Sequence, residues 1–108
     1  MIRVTTGYDF ILDTTLKKSK ATFNIASNAV IKVKLIDVSR TVSLTNEVIL
    51  DNNASGNDLA NSKIIVHIPN SETTLISDYG TAVLIIHLED NGIKETWEHE
   101  VEIIKGMF

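Results

Sequence analysis

The sequence predicts an all-β chain: one domain over residues 1–108, an antiparallel β-sandwich of immunoglobulin-like outline with one short helical turn near 71–76. Three observations predict it. Short runs rich in Val, Ile, Thr and aromatic residues are divided by Asn, Asp, Ser and Gly clusters, the punctuation of strands and turns. Asn91-Gly92 sits between two long runs, and this pair suits a two-residue type I′ hairpin because both positions need positive φ. Cysteine is absent, so packing and backbone hydrogen bonds must hold the chain without disulfide staples or thiolate metal sites.

Taken in order, the first strand is expected over Tyr8 to Leu16, with Phe10, Leu12 and Leu16 on one face. A turn at Lys17 to Lys20 leads to a short strand carrying Phe23 and Ile25, which Ser27-Asn28 breaks. From Val30 to Val38, Ile31, Val33 and Leu35 face one way and Lys32 and Lys34 the other, the period of a half-buried strand. Val42 to Leu50 holds one or two more short strands, and Asp51 to Ser62 reads as a polar loop. Lys63 to Ile68 is a strand ended by Pro69, the single proline, which has no amide hydrogen to donate. Asn70 to Ile76 reads as one helical turn, with Asn70 or Ser71 as cap and Glu72 near its positive end.

The last hairpin is the best determined. Closing Thr81–Asp90 on Ile93–Lys105 about Asn91-Gly92 sets Ile86 opposite Trp97, Ala82 opposite Val101, Leu84 opposite His99 and Leu88 opposite Glu95. The other face pairs Glu89 with Lys94, His87 with Thr96, Ile85 with Glu98 and Val83 with Glu100. Turn chemistry and alternation agree on the buried face, and a one-residue slip would move Trp97 to the side of Glu98, Glu100 and Glu102. Leu84, Ile86, Trp97 and Val101 are therefore expected in the core. Strand count and spacing favour a sandwich, with a small barrel as the alternative; the Cys…Trp…Cys pattern of antibody domains is absent.

An apolar fraction of 44% in 108 residues suffices for one core. The charge of −4, from 14 acidic and 10 basic residues, argues against nucleic acid as a partner, which calls for a basic stripe. Lys17, Lys18 and Lys20 read as a solvated loop tip. The N-terminus lacks a secretory apolar stretch and no segment approaches the ~20 apolar residues of a bilayer span, so no membrane partner is expected. Synthesis and folding are expected in a cytoplasm.

The candidate chemistry is sparse. His67, His87 and His99 stand alone, without the close spacing of zinc ligands. Asp51, Asn53, Ser55, Gly56 and Asp58 resemble the opening of a calcium loop, but Ser62 stands where a bidentate glutamate is required, and the same residue types suit any exposed connection. Glu98, Glu100 and Glu102 line one strand face, which reads as a solubilising stripe that discourages edge-to-edge aggregation. No nucleophile elbow and no phosphate-cradling glycine loop occurs. The expectation is a non-enzyme with no catalytic, cofactor-binding or metal-binding residues.

What remains is surface. Thr81 to Leu88 carries apolar residues on both faces, so Val83 and Ile85 either are covered by a further layer or meet a partner. The terminal Met107 and Phe108 follow a glycine and read either as a frayed end or as anchors for a neighbouring protein.

The segments Ile68 to Ile76, Tyr79 to Leu84, Gly92 to Trp97 and Val101 to Gly106 resemble small immunoglobulin-like virion domains of tailed bacteriophages, among them tail, baseplate and fibre-anchoring modules. In that family a strand ends in a short serine- and acid-containing helical turn, and a Tyr-Gly leads into the final hairpin. The resemblance covers about the last two-fifths of the chain. It implies a structural protein of the virion, made in the cytoplasm of a bacterial host, whose partners are other virion proteins or copies of itself. A tail, baseplate or neck adaptor is the first reading. The alternatives are a capsid decoration protein, a small acidic inhibitor of a host enzyme, suggested by the glutamate stripe, and a carbohydrate-binding module using Trp97.

Overall fold

In the computed structural model, which describes residues 1–106, the chain runs through β1 (Ile2–Thr5), β2 (Phe10–Thr15), β3 (Val30–Asp37), β4 (Val48–Ile49), β5 (Lys63–Ile68), α1 (Asn70–Thr73), β6 (Gly80–Asp90) and β7 (Ile93–Ile104). A 3-10 turn at Leu59–Asn61 precedes β5. The chain is all-β in class: five strands form one sheet in the order β1-β7-β6-β3-β4, and β2 and β5 form a two-stranded sheet.

The β6–β7 hairpin has the register set by its turn, with Ile86 opposite Trp97, Leu84 opposite His99, Ala82 opposite Val101 and Val83 opposite Glu100. Asn91 and Gly92 both take positive φ, 50° and 81°, as a type I′ turn requires. β3 pairs antiparallel with β6, Leu35 against Leu84 and Val33 against Ile86, so a continuous apolar surface builds up across the sheet. The β2–β5 ribbon supplies Phe10, Ile64, Val66 and Ile68 to the same core as Ile31, Val33, Leu35, Leu84, Ile86 and Val101. Trp97 is half-buried at the core's margin. Its ring stacks on Phe23 at 5.8 Å, and its indole N–H donates to the Lys17 carbonyl at 2.9 Å. The Lys17–Lys20 turn is thus tied to the core, with the Lys18 ammonium 4.5 Å from the Phe23 ring centre.

Three expectations are corrected. The large sheet is mixed rather than antiparallel, because residues 2–5, which the alternation left unassigned, form β1 and pair in parallel with β7, Val4 against Ile103. Four residues are too few for a period to stand out, yet Val4 is fully buried and Thr6 donates its amide to Ile104 at 2.9 Å. The strand expected at Phe23 and Ile25 is irregular chain: Ile25 is buried, but its amide donates to the Leu59 carbonyl at 2.8 Å rather than joining a ladder. The helical turn is capped by neither Asn70 nor Ser71. Pro69 occupies the cap position, and the carboxylate of Asp9, from the start of β2, accepts the Asn70 amide hydrogen at 2.8 Å.

A candidate interaction surface

Strand geometry places every second residue of the β2–β5 ribbon outward. Phe10, Ile64, Val66 and Ile68 turn into the core, so Ile11, Ile65 and His67 turn away from it, with Ile11 directly opposite His67. β4 does the same on the edge of the large sheet: Val48 packs against the core, and Ile49 points away from it. The three isoleucines meet in a groove of about 380 Å³ that Val48, Leu50, Ala54 and Pro69 help to line. Ile11 keeps 64% and Ile49 68% of their full exposure, which makes them two of the most exposed large aliphatics among the described residues.

One wall of the groove is built by the Asp51–Asp58 loop. Asn57 accepts the Ile65 amide hydrogen at 2.8 Å and donates to the carbonyls of Asp51 and Asn52, so its side chain replaces a strand partner for β5. Asn52 donates to the Ser27 and Ala29 carbonyls. Gly56 has φ +94°, a backbone conformation that favours glycine, and a Cβ there would lie 3.3 Å from the Ile65 side chain, which would have to shift slightly. The carboxylates singled out as calcium ligands are engaged locally: Asp51 accepts the Asn53 amide at 2.9 Å and Asp58 accepts from the Asn61 side chain at 2.9 Å. The loop acts as a brace. Among the described residues no group of three or more His, Asp or Glu side chains comes together.

At the rim, Asp9 joins the ribbon to the helical turn. One of its oxygens lies 3.1 Å from His67 Nε2 while the other takes the Asn70 amide, and these two contacts, His67 first, hold its carboxyl below the usual carboxylate range. His87 meets Thr96 at 3.2 Å on the outer face of the large sheet, and His99 is half-buried opposite Leu84 on the inner face. The three histidines stay apart.

The outer face of the large sheet carries Val83 and Ile85 between Glu100 and Glu98 on one side and Ile36 and Lys34 on the other. Arg40, beyond the end of β3, pairs with Glu98 on β7, so the ion pair spans β6, the strand between them. It draws Glu98 down and Arg40 up from their ordinary pKa values, the hydrogen bond being the larger cause for each. Arg40 shares a shallow concavity with Ile36 and Ile85. Val83 retains 6% exposure and offers little surface; Ile85 is half-buried. Met107 and Phe108 lie outside the described residues. Leu84, Ile86 and Val101 are fully buried.

Ile11, Ile49 and Ile65 escaped the reading of the sequence, although each is the middle of an apolar triplet: Phe10-Ile11-Leu12, Val48-Ile49-Leu50 and Ile64-Ile65-Val66. An apolar residue on both faces of a strand is the signal that drew attention to Val83 and Ile85, and it applies here too. The chain matches no family model and no curated protein.

Proposed function

We propose that this protein is a non-enzymatic structural component of a tailed-bacteriophage particle, a tail, baseplate or neck adaptor built as an immunoglobulin-like β-sandwich and acting through protein contacts. The observation that carries the reading is the aliphatic groove formed by the exposed Ile11 and Ile49 with the half-buried Ile65. Full burial of such a side chain contributes about 1.5–3 kcal/mol, so a groove of this kind favours a protein neighbour over water. In a symmetric particle each weak contact is repeated, and repetition turns modest affinities into a stable assembly. The virion resemblance is consistent with where its residues fall: Ile68 to Ile76 spans the end of β5 and α1, Tyr79-Gly80 enters β6, and Trp97 lies on β7. The Glu98, Glu100 and Glu102 stripe is a weaker basis for an acidic inhibitor, since Glu98 is paired with Arg40.

Mass spectrometry of purified particles tests the proposal. The chain is expected among the virion proteins in fixed ratio to a tail or neck component, and its absence from particles that contain all other structural proteins would sink the reading.

A further inference from the structure

We infer that Asn91, at the tip of the β6–β7 hairpin, is the site at which this chain deamidates spontaneously, and that its isoaspartyl product loses the register of the tip. The inference concerns the chain's own covalent chemistry and stands apart from the assembly reading above.

The reaction needs only the chain and water. The backbone nitrogen of the following residue attacks the asparagine Cγ. A new N–Cγ bond closes a five-membered imide, the Cγ–Nδ2 bond breaks, and Nδ2 leaves as ammonia with the proton given up by the backbone amide. One water then opens the imide. Opening at Cγ gives aspartate in an ordinary chain, and opening at the backbone carbonyl carbon gives isoaspartate, whose chain runs through Cβ and Cγ.

Two conditions select among the nine asparagines. The following amide must be free to give up its proton, and its nitrogen must reach Cγ. The fold removes six of them by the first condition. The amides after Asn24, Asn28, Asn53, Asn57 and Asn61 donate to the carbonyls of Leu59, Ala26, Asp51, Lys63 and Leu59, and the amide after Asn52 donates to the Asp51 carboxylate. Asn46, Asn70 and Asn91 remain. Asn70 opens α1, where its carbonyl accepts the Thr74 amide at 2.9 Å and fixes a helical backbone. Asn46 precedes Glu47, a long side chain tied to Lys32 at 3.5 Å. Asn91 precedes Gly92, where even a Cβ would meet no atom within 4 Å, so nothing crowds the attacking nitrogen. Among the described residues neither the Gly92 amide nor the Asn91 side chain has a hydrogen-bond partner.

The turn itself sets the barrier. Ring closure takes Asn91 out of its left-handed conformation, φ 50°, and so requires the tip to open. That opening is local, because Asn91 and Gly92 are exposed and Ile93 keeps 62% of its full exposure, while Trp97 stays held by the Lys17 carbonyl. The two products then part. Aspartate tolerates positive φ much as asparagine does, and the hairpin closes again. Isoaspartate adds a methylene to the backbone of a turn built for two residues, so the pairs Asp90–Ile93 and Glu89–Lys94 lose their register.

The test holds the folded chain in mildly alkaline buffer at physiological temperature and maps its peptides by mass spectrometry over time. Fragmentation that separates isoaspartate from aspartate reads the products. Asn91 is expected to exchange NH2 for OH before any other asparagine, with isoaspartate among its products. Hydrogen exchange is expected to show protection lost at Asp90 and Ile93 in the isoaspartyl form and kept in Asn91→Asp, which carries the new charge without the extra backbone atom. Another asparagine converting ahead of Asn91 would overturn the site. So would an Asn91 that stays intact in the folded chain while it converts in a peptide of residues 86–97. An isoaspartyl form that keeps its protection at Asp90 and Ile93 would overturn the consequence.

Discussion

Ser62 is the least conspicuous residue on which the fold most depends. It is fully buried at the entry to β5 in a left-handed conformation, φ 53°. Its hydroxyl donates to the Leu16 carbonyl and accepts from the Phe23 amide at 3.3 Å, while its own carbonyl accepts the Leu16 amide at 2.9 Å. One side chain thus joins the end of β2, the irregular chain at Phe23 and the start of β5. In Ser62→Ala the left-handed backbone is as costly as before, so the hydroxyl alone is removed. Each group orphaned away from water costs about 1–3 kcal/mol, and the half-buried Phe23 amide takes the low end, which places the loss at about 2–4 kcal/mol. Against a usual total of about 5–15 kcal/mol that is a large fraction. With urea slopes of about 1–3 kcal/mol per molar, a loss of about 3 kcal/mol lowers the midpoint by about 1–3 M. Ser62→Gly relieves the left-handed penalty and is expected to be milder by about 1 kcal/mol. Urea titration followed by Trp97 fluorescence reads both variants. A Ser62→Ala loss below about 0.5 kcal/mol, within the range of ordinary surface substitutions, would refute the reasoning.

Other perturbations follow from the same geometry. Leu84→Ala, at the centre of the large sheet with no exposure, is expected to cost about 2–5 kcal/mol in the same titration. Gly92→Ala meets no atom within 4 Å, so its cost is conformational alone, about 1–2 kcal/mol from a φ of 81°. Asp37 accepts hydrogen bonds from the Ser39 hydroxyl, the largest cause, and from Val42 and Thr41, and its carboxyl is lowered from 3.8 to about 2. Because the folded value is the depressed one, its contribution is complete above about pH 4 and disappears as the pH falls through 2. Asp37→Asn is therefore expected to flatten the acid side of the stability profile between these values, and urea midpoints measured from pH 5 to pH 2 check it.

The parts of the fold legible in the sequence are those in which two local signals coincide. At residues 80–104 the Asn91-Gly92 turn and the alternation each specify the register, and a single slip would expose Trp97. β3 was legible because Lys32 and Lys34 mark its outer face so cleanly. β1 offered neither signal: Ile2–Thr5 is short, and it is a strand because β7, almost a hundred residues further on, gives it a parallel partner. Ile25 fails in the opposite way. Its alternation with Phe23 imitates a strand, but its amide hydrogen is taken by the Leu59 carbonyl of the 3-10 turn rather than by a ladder. The cap of α1 lies with Asp9, whose carboxylate reaches Asn70 from a distance of 61 residues in sequence, which no local pattern encodes.

The same distinction explains why attention fell on Val83 and Ile85 and passed over Ile11, Ile49 and Ile65. Apolar residues on both faces of a strand indicate that two surfaces are covered, without saying by what. At β6 the Arg40–Glu98 ion pair spans the strand beside Ile85, where a long side chain can shield apolar surface with its stem while its head stays paired. At β2, β4 and β5 the corresponding face opens on the groove. The cue is identical in the two places, and an exposed surface arginine distinguishes them. Arg40 stands at positive φ, 62°, in a turn whose amides at Thr41 and Val42 are held by Asp37. The turn that carries this arginine to Glu98 is thus fastened by the carboxylate that ends β3.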